Sequence, residues 1–285
     1  MRQPGVIALC LLGTAFLAGC QGATDAEVQR AVKDVNVIDE SNLNDIMLTI
    51  GDPNEAVAYF QGALQKDPSR IDFKRGLARS LIRAGKANEA AQVWEQVAGS
   101  AAGTPEDKVM LADAQIRSNQ WDKAKATLNS VPPTHETFDR YRLEAMIADS
   151  EKNWKKADSF YEIASGLTTK PGNVYNNWGF SKLTRKDYPG AERLFIQALT
   201  YDPTLFTAKN NLMMSRAAQR KYDLPVVEMT QTERAELLYT AALAAIKQGD
   251  ISVGKGLLQQ AVDTHPQHFE AAARSLAALD SNVKM

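Results

Sequence analysis

Only three imidazoles, His135, His265 and His268, occur in the 285 residues, so metal and acid–base chemistry have little to draw on. His265 and His268 flank Pro266 at a turn position with no third or fourth ligand close in sequence, which does not make a zinc site. No Gly-x-Ser-x-Gly elbow or other nucleophile signature is present. The run Gly249-Asp250-Ile251-Ser252-Val253-Gly254-Lys255-Gly256 fits the first seven positions of a phosphate-cradling loop. It then places Gly256 where the magnesium-binding Ser or Thr belongs, and no strand leads into it. The inventory points to a non-enzymatic chain with no metal, no nucleotide and no cofactor.

The remaining polar chemistry suits binding. Arg75, Arg79 and Arg83 stand at i, i+4 and i+8, so a helix would align them as one basic stripe able to pair with carboxylates bidentately. The same stripe also reads as a solvated helical face.

The elements that would position these groups repeat. Ala56, Ala90, Ala124, Ala157 and Ala191 recur at intervals of 34, 34, 33 and 34 residues. Four residues after each comes a bulky apolar side chain: Phe60, Trp94, Leu128, Tyr161 and Phe195. Five residues before each sits a turn residue or its substitute: Gly51, Gly85, Asn119, Lys152 and Lys186. One helical hairpin cannot bury its apolar face alone, so consecutive hairpins must stack, with the small alanine where helices cross closely. The next alanine position falls on Pro225, which interrupts that unit. Thr230 and Glu233 then stand at capping-box spacing, predicting that a helix restarts there. Gly249-Asp250, Gly254, Leu258, Ala261 and Pro266 give one more unit, and Phe269 to Leu279 reads as a terminal amphipathic helix. With no strand alternation bounded by hairpin turns, the chain reads as all-α.

The unit from Tyr175 to Pro203 resembles the tetratricopeptide family. Tyr175-Asn176-Asn177-Trp178-Gly179 opens its first helix, Lys186-Asp187-Tyr188 makes the turn, and Ala191, Phe195, Ala198 and Pro203 complete the second. Trp178-Gly179 replaces the family's Leu-Gly pair. The resemblance implies a right-handed superhelical solenoid whose first helices, here called A, line a concave groove. In the family, groove-facing A-helix positions bind extended peptides. Carried onto this chain, they include Arg75, Arg79, Arg83, Asn176, Asn177, Asn210 and Asn211. Family members use amides at such positions to hold a peptide backbone. Hydrogen bonding between repeats is the other use open to the asparagines.

The amino terminus is of another kind. Arg2 precedes an apolar run from Val6 to Leu17, too short for a mature membrane span but suited to a signal peptide. It ends in Leu17-Ala18-Gly19-Cys20, which resembles a bacterial lipobox; this implies acylation of Cys20 and removal of residues 1–19. Gln21, not aspartate, follows, which by the same resemblance favours the outer membrane of a Gram-negative bacterium, with the chain on its periplasmic face. Several acyl chains exceed the single chain that binds only marginally. Cys10 leaves with the signal, so no internal disulfide is expected.

Removing Arg2 moves the formal charge from −1 to −2, a near-neutral balance that argues against nucleic acid. The expected organisation is a signal peptide at 1–19, a lipidated polar tether at 20–36, an array at 37–222, a Pro-containing loop at 223–231, and a C-terminal repeat with capping helix at 232–285. A lipid-anchored array of this size, ending in an Ala-rich pair after a broken unit, resembles the TadD family of Flp/Tad pilus assembly. That implies a pilotin-like adaptor for a pilus or secretion machine, its outer-membrane secretin being one candidate partner. A general periplasmic scaffold for outer-membrane protein insertion or peptidoglycan synthesis is the alternative.

Overall fold

The computed structural model describes residues 43–282, and every regular element among them is an α-helix. The expected signal peptide, Cys20 and the expected tether lie outside the described residues. The helices are α1 (43–49), α2 (Pro53–Lys66), α3 (Ile71–Arg83), α4 (Ala87–Ala98), α5 (Pro105–Arg117), α6 (Trp121–Asn129) and α7 (Phe138–Ser150). Then come α8 (Trp154–Gly166), α9 (Gly172–Thr184), α10 (Tyr188–Tyr201), α11 (Phe206–Ala217), α12 (Gln231–Lys247), α13 (Ile251–Thr264) and α14 (Glu270–Asn282). Each packs on its neighbours in sequence, and α5 on α7, α7 on α9 and α9 on α11 also touch. The odd-numbered helices through α11, which are the A helices, therefore form one inner layer, joined by helix packing from α5 to α11 and by the side chains of Arg75 and Arg83 from α1 to α5.

The periodic residues are the core. Ala56, Ala90, Ala124, Ala157 and Ala191 have no exposed surface, and Phe60, Trp94, Leu128, Tyr161 and Phe195 are at most 2% exposed. At the last unit the crossing is tighter still, since a Cβ on Gly254 would lie 2.4 Å from Ile246 Cγ1. The glycine-rich run Gly249–Gly256 is thus a turn, with φ 86° at Gly249, followed by the first part of α13.

Turn chemistry follows the same register. Gly85, Asn119, Lys152 and Lys186 all have left-handed backbone, with φ between 58° and 73°. This reverses the chain between the two helices of a hairpin at a steric cost for the non-glycine residues. Gly51 departs from the set: its φ is not positive, and Asp52 instead starts α2 by accepting from the amides of Asn54 and Glu55.

The unit containing Pro225 has its A helix, α11, and a left-handed Arg220 at the turn position, but no second helix. The chain from 218 to 230 runs as a loop, and both oxygens of Asp250 accept from Arg220 Nη1 at 2.8 Å while Tyr222 donates to Asp250 at 2.5 Å. α12 restarts with the Thr230–Glu233 capping box formed. It packs directly on α11, where the buried Lys209 reaches Glu233 Oε1 at 2.9 Å. Among the described residues no helix is long and apolar enough to cross a membrane.

Candidate binding groove

The four asparagines come together. Asn176 and Asn177 on α9 and Asn210 and Asn211 on α11 line one open cleft of about 510 Å³ on the inner layer. α7 closes one side with Met146, Asp149 and Ser150. Phe180 and Thr184 of α9, Phe206 and Thr207 of α11, and Trp121, Trp154 and Tyr161 from the B helices α6 and α8 complete the walls. Phe180 remains 49% exposed, unusual for a phenylalanine with an apolar core beside it.

Three amides serve both repeat packing and the cleft. Asn211 Nδ2 donates to Asn176 Oδ1 at 3.0 Å, tying α11 to α9, and Asn210 Oδ1 accepts from Thr240 on α12 at 2.7 Å. Asn177 Nδ2 approaches the Met146 thioether at 3.9 Å. Asn176 Nδ2, Asn177 Oδ1 and Asn211 Oδ1 have no hydrogen-bond partner among the described residues, so one donor and two acceptors face the cleft.

The arginines do not stand together at this site. Arg75 makes a bidentate contact with Asp107 on α5, at 2.8 and 2.7 Å, and also donates to the Ala102 carbonyl at 3.2 Å. Arg83 donates to the Met47 and Gly51 carbonyls, both at 2.7 Å, satisfying the end of α1. Both therefore hold one repeat to the next. Arg79 and Arg83 are both exposed, beside a smaller cleft of about 360 Å³ that they share with Asp45, Thr49 and Asp113.

The histidines stay apart as well. His135 pairs with Glu106 at 3.0 Å, His268 with Glu270 at 2.8 Å, and His265 Nδ1 accepts from the Gln267 amide at 3.1 Å. Among the described residues no group of three or more His, Cys, Asp or Glu side chains is placed to hold a metal.

Several cleft residues escaped the sequence reading. Met146 and Phe180 line the cleft at 34-residue spacing on the A helices, Met214 follows one period on outside its lining, and Phe180 and Met214 are exposed. Their periodicity on a groove-facing position was available in the sequence. Trp121 and Trp154 each lie three residues before a core alanine, at the start of a B helix, where nothing local announces that an aromatic ring reaches the inner face.

Asp149 is the one charged side chain on the cleft wall. Ser181 Oγ donates to its Oδ1 at 2.7 Å and Tyr161 OH to its Oδ2 at 2.9 Å. Burial raises its pKa above the ordinary carboxylate value, outweighing those two hydrogen bonds and the through-space pull of Arg185. The Tyr161 phenol is pushed far up by its own burial and by the Asp149 charge, so it stays a donor.

A tetratricopeptide repeat family model matches residues 48–106 and 81–147. The tetratricopeptide repeat and J domain-containing co-chaperone DNJ1 of Fusarium oxysporum f. sp. lycopersici is 26% identical over 120 residues, 41% of this chain and 22% of that protein. Among solved structures, the Cut9–Hcn1 hetero-tetramer of the APC/C aligns with a TM-score of 0.60 at 13% identity, over 83% of this chain and 48% of that one. A tetratricopeptide repeat protein from Parabacteroides merdae ATCC 43184 aligns with a TM-score of 0.54 at 14% identity, over 84% and 96%. A human IFIT1 dimer with PPP-AAAA aligns with a TM-score of 0.59 at 16% identity, over 89% and 69%. This chain spans about a fifth of the co-chaperone and about half of the Cut9–Hcn1 chain. At these identities the structural likeness is one of fold. With the repeat matched by sequence over residues 48–147 and helices stacked in sequence order through α14, the chain has an all-α solenoid fold, that of tetratricopeptide-repeat arrays.

Proposed function

We propose that this protein is a non-enzymatic adaptor that holds an extended segment of a protein partner in the groove of α7, α9 and α11. The observation that carries this is the convergence of unspent amide groups with the exposed Phe180 ring in one concave cleft. Amides facing a groove pair with a peptide backbone whatever its sequence, and an exposed ring beside them rewards an apolar side chain. Tetratricopeptide arrays present such concave surfaces to protein partners.

Cys20 acylation would place the groove at the periplasmic face of the outer membrane, and the resemblance to the TadD family supports a partner in Flp/Tad pilus assembly, its secretin foremost. The test is a chromosomal Asn177→Ala with Phe180→Ala in the native host, compared with the gene deletion. Both strains should lose pilus-dependent adherence and show fewer secretin multimers in outer-membrane fractions, while the double variant stays folded and membrane-bound. A deletion strain with normal pili and normal secretin multimers would overturn the pilus reading. Defects in outer-membrane protein insertion or peptidoglycan instead would favour the general scaffold.

A further inference from the structure

We propose that the cleft takes the cationic side chain of a lysine or arginine from the bound segment, with Asp149 as counter-charge and the aromatic walls holding its aliphatic stem. This rests on the peptide-binding reading of the groove and specifies what the peptide must carry.

The reasoning begins with how the other sheltered carboxylates of the array are neutralised. Asp107 has Arg75 at 2.7 Å, Asp158 has Lys182 at 3.0 Å, Glu192 has Arg216 at 2.9 Å, and Glu233 has Lys209 at 2.9 Å. Asp149 has no ion-pair partner among the described residues. Its two hydrogen bonds come from neutral hydroxyls, which fix the carboxylate in place without neutralising it. Arg185, whose charge reaches Asp149 through space, is committed to an ion pair with Asp158 and lies over the Trp154 ring, 5.5 Å from its centroid.

A half-buried carboxylate without a counter-ion is costly to keep, and an incoming cation would remove that cost. No lysine or arginine lines the cleft to compete for it. Trp121, Phe180 and Phe206 supply ring surface, which attracts a cation over its face and accepts the methylene stem of a long basic side chain. An acidic ligand would meet only repulsion from Asp149 here.

The experiment is selection of random displayed peptides on the purified full chain, followed by fluorescence anisotropy of the enriched sequences. Enriched peptides should share a lysine or arginine. Replacing that residue by norleucine should weaken binding to the wild type about tenfold, and more salt should erase the difference. Asp149→Asn should bind the basic and norleucine peptides equally. Enrichment without a basic residue, or undiminished binding of the basic peptide to Asp149→Asn, would overturn the assignment of Asp149. Binding that survives Asn177→Ala with Phe180→Ala unchanged would overturn the groove itself, a separate outcome. The norleucine comparison uses wild-type protein, so it holds even where a variant fails to fold.

Discussion

The guanidinium of Arg75 and the carboxylate of Asp107 face each other across consecutive A helices, two parallel contacts of 2.8 and 2.7 Å made 32 residues apart in sequence. Asp107 also closes the capping box of α5 by accepting from the Thr104 amide at 2.8 Å. One carboxylate thus starts a helix and joins it to the previous repeat. Arg75 is therefore structural glue between units, although its position in the repeat is one that faces the groove in the family.

The pH consequence has a definite sign. Burial alone would raise the pKa of Asp107, but the bonds from Arg75 and Thr104 outweigh it and hold the group below the ordinary carboxylate value. A lowered native pKa means that the stabilisation is present above about pH 4, the unfolded value, and is lost as pH falls from there through the native value. Arg75→Met should lower stability at neutral pH by about 2–4 kcal/mol, because it leaves a buried carboxylate unpaired. Urea melts at pH 7 and pH 3 should show the wild type and variant far apart at the first and closer together at the second. Equal stability at pH 7 would show that the pair contributes nothing.

Two helical glycines should respond to alanine in opposite directions. A Cβ on Gly179 would lie 2.6 Å from Cε1 of Phe195, a ring with no exposed surface that cannot swing aside, whereas one on Gly62 would meet nothing within 4 Å. Gly179→Ala should cost about 1–3 kcal/mol through overpacking. Gly62→Ala should add about 0.5–1 kcal/mol by stiffening the unfolded chain and favouring α2. Thermal melts of the two variants should move to either side of the wild type.

The stacking of the helices was legible in the sequence because it is enforced once per repeat. Each alanine sits at a crossing with no room, so its spacing carries the geometry directly, and Pro225 marked the missing second helix. The groove was half legible. Asn177 and Asn211 sit on inner-layer helices for the same periodic reason, but the partner of a long charged side chain is decided by what the neighbouring repeat offers. Arg75 finds Asp107, and Arg83 finds the carbonyls of α1, so the stripe seen along one helix dissolves into contacts across three. Asp149 shows the converse, an acidic residue unremarkable in sequence whose carboxylate is held by two hydroxyls and by no ion pair among the described residues.

Register can be tested at a crossing that leaves no room. Ala191 is fully buried where α10 crosses the helices around it, and Ala191→Trp forces a ring into a filled space. The expected loss is about 1–3 kcal/mol or more, and because each repeat is stable only through its neighbours, α9 and α11 should loosen with it. Hydrogen exchange should quicken first in those helices, and the circular dichroism melt should shift down. An unshifted melt would mean that the crossing lies elsewhere.

The last prediction concerns Cys20, which lies outside the described residues and on which the proposed location of the groove depends. The apolar run from Val6 ends at Leu17-Ala18-Gly19-Cys20, and none of the described helices offers a membrane span. Attachment would then rest on acyl chains at that thiol, and several chains are needed, because one alone gives only marginal, reversible binding. In the native host, wild-type protein should take up radiolabelled palmitate and sediment with outer membranes. Cys20→Ser should lose the label and shift to the soluble periplasmic fraction or remain unprocessed, with its helical fold intact. Pilus-dependent adherence should fall with it, since a released adaptor is diluted away from the membrane where its partner assembles. If Cys20→Ser protein is recovered in membranes at the wild-type level with its label retained, lipidation is not the anchor, and the proposed outer-membrane location goes with it.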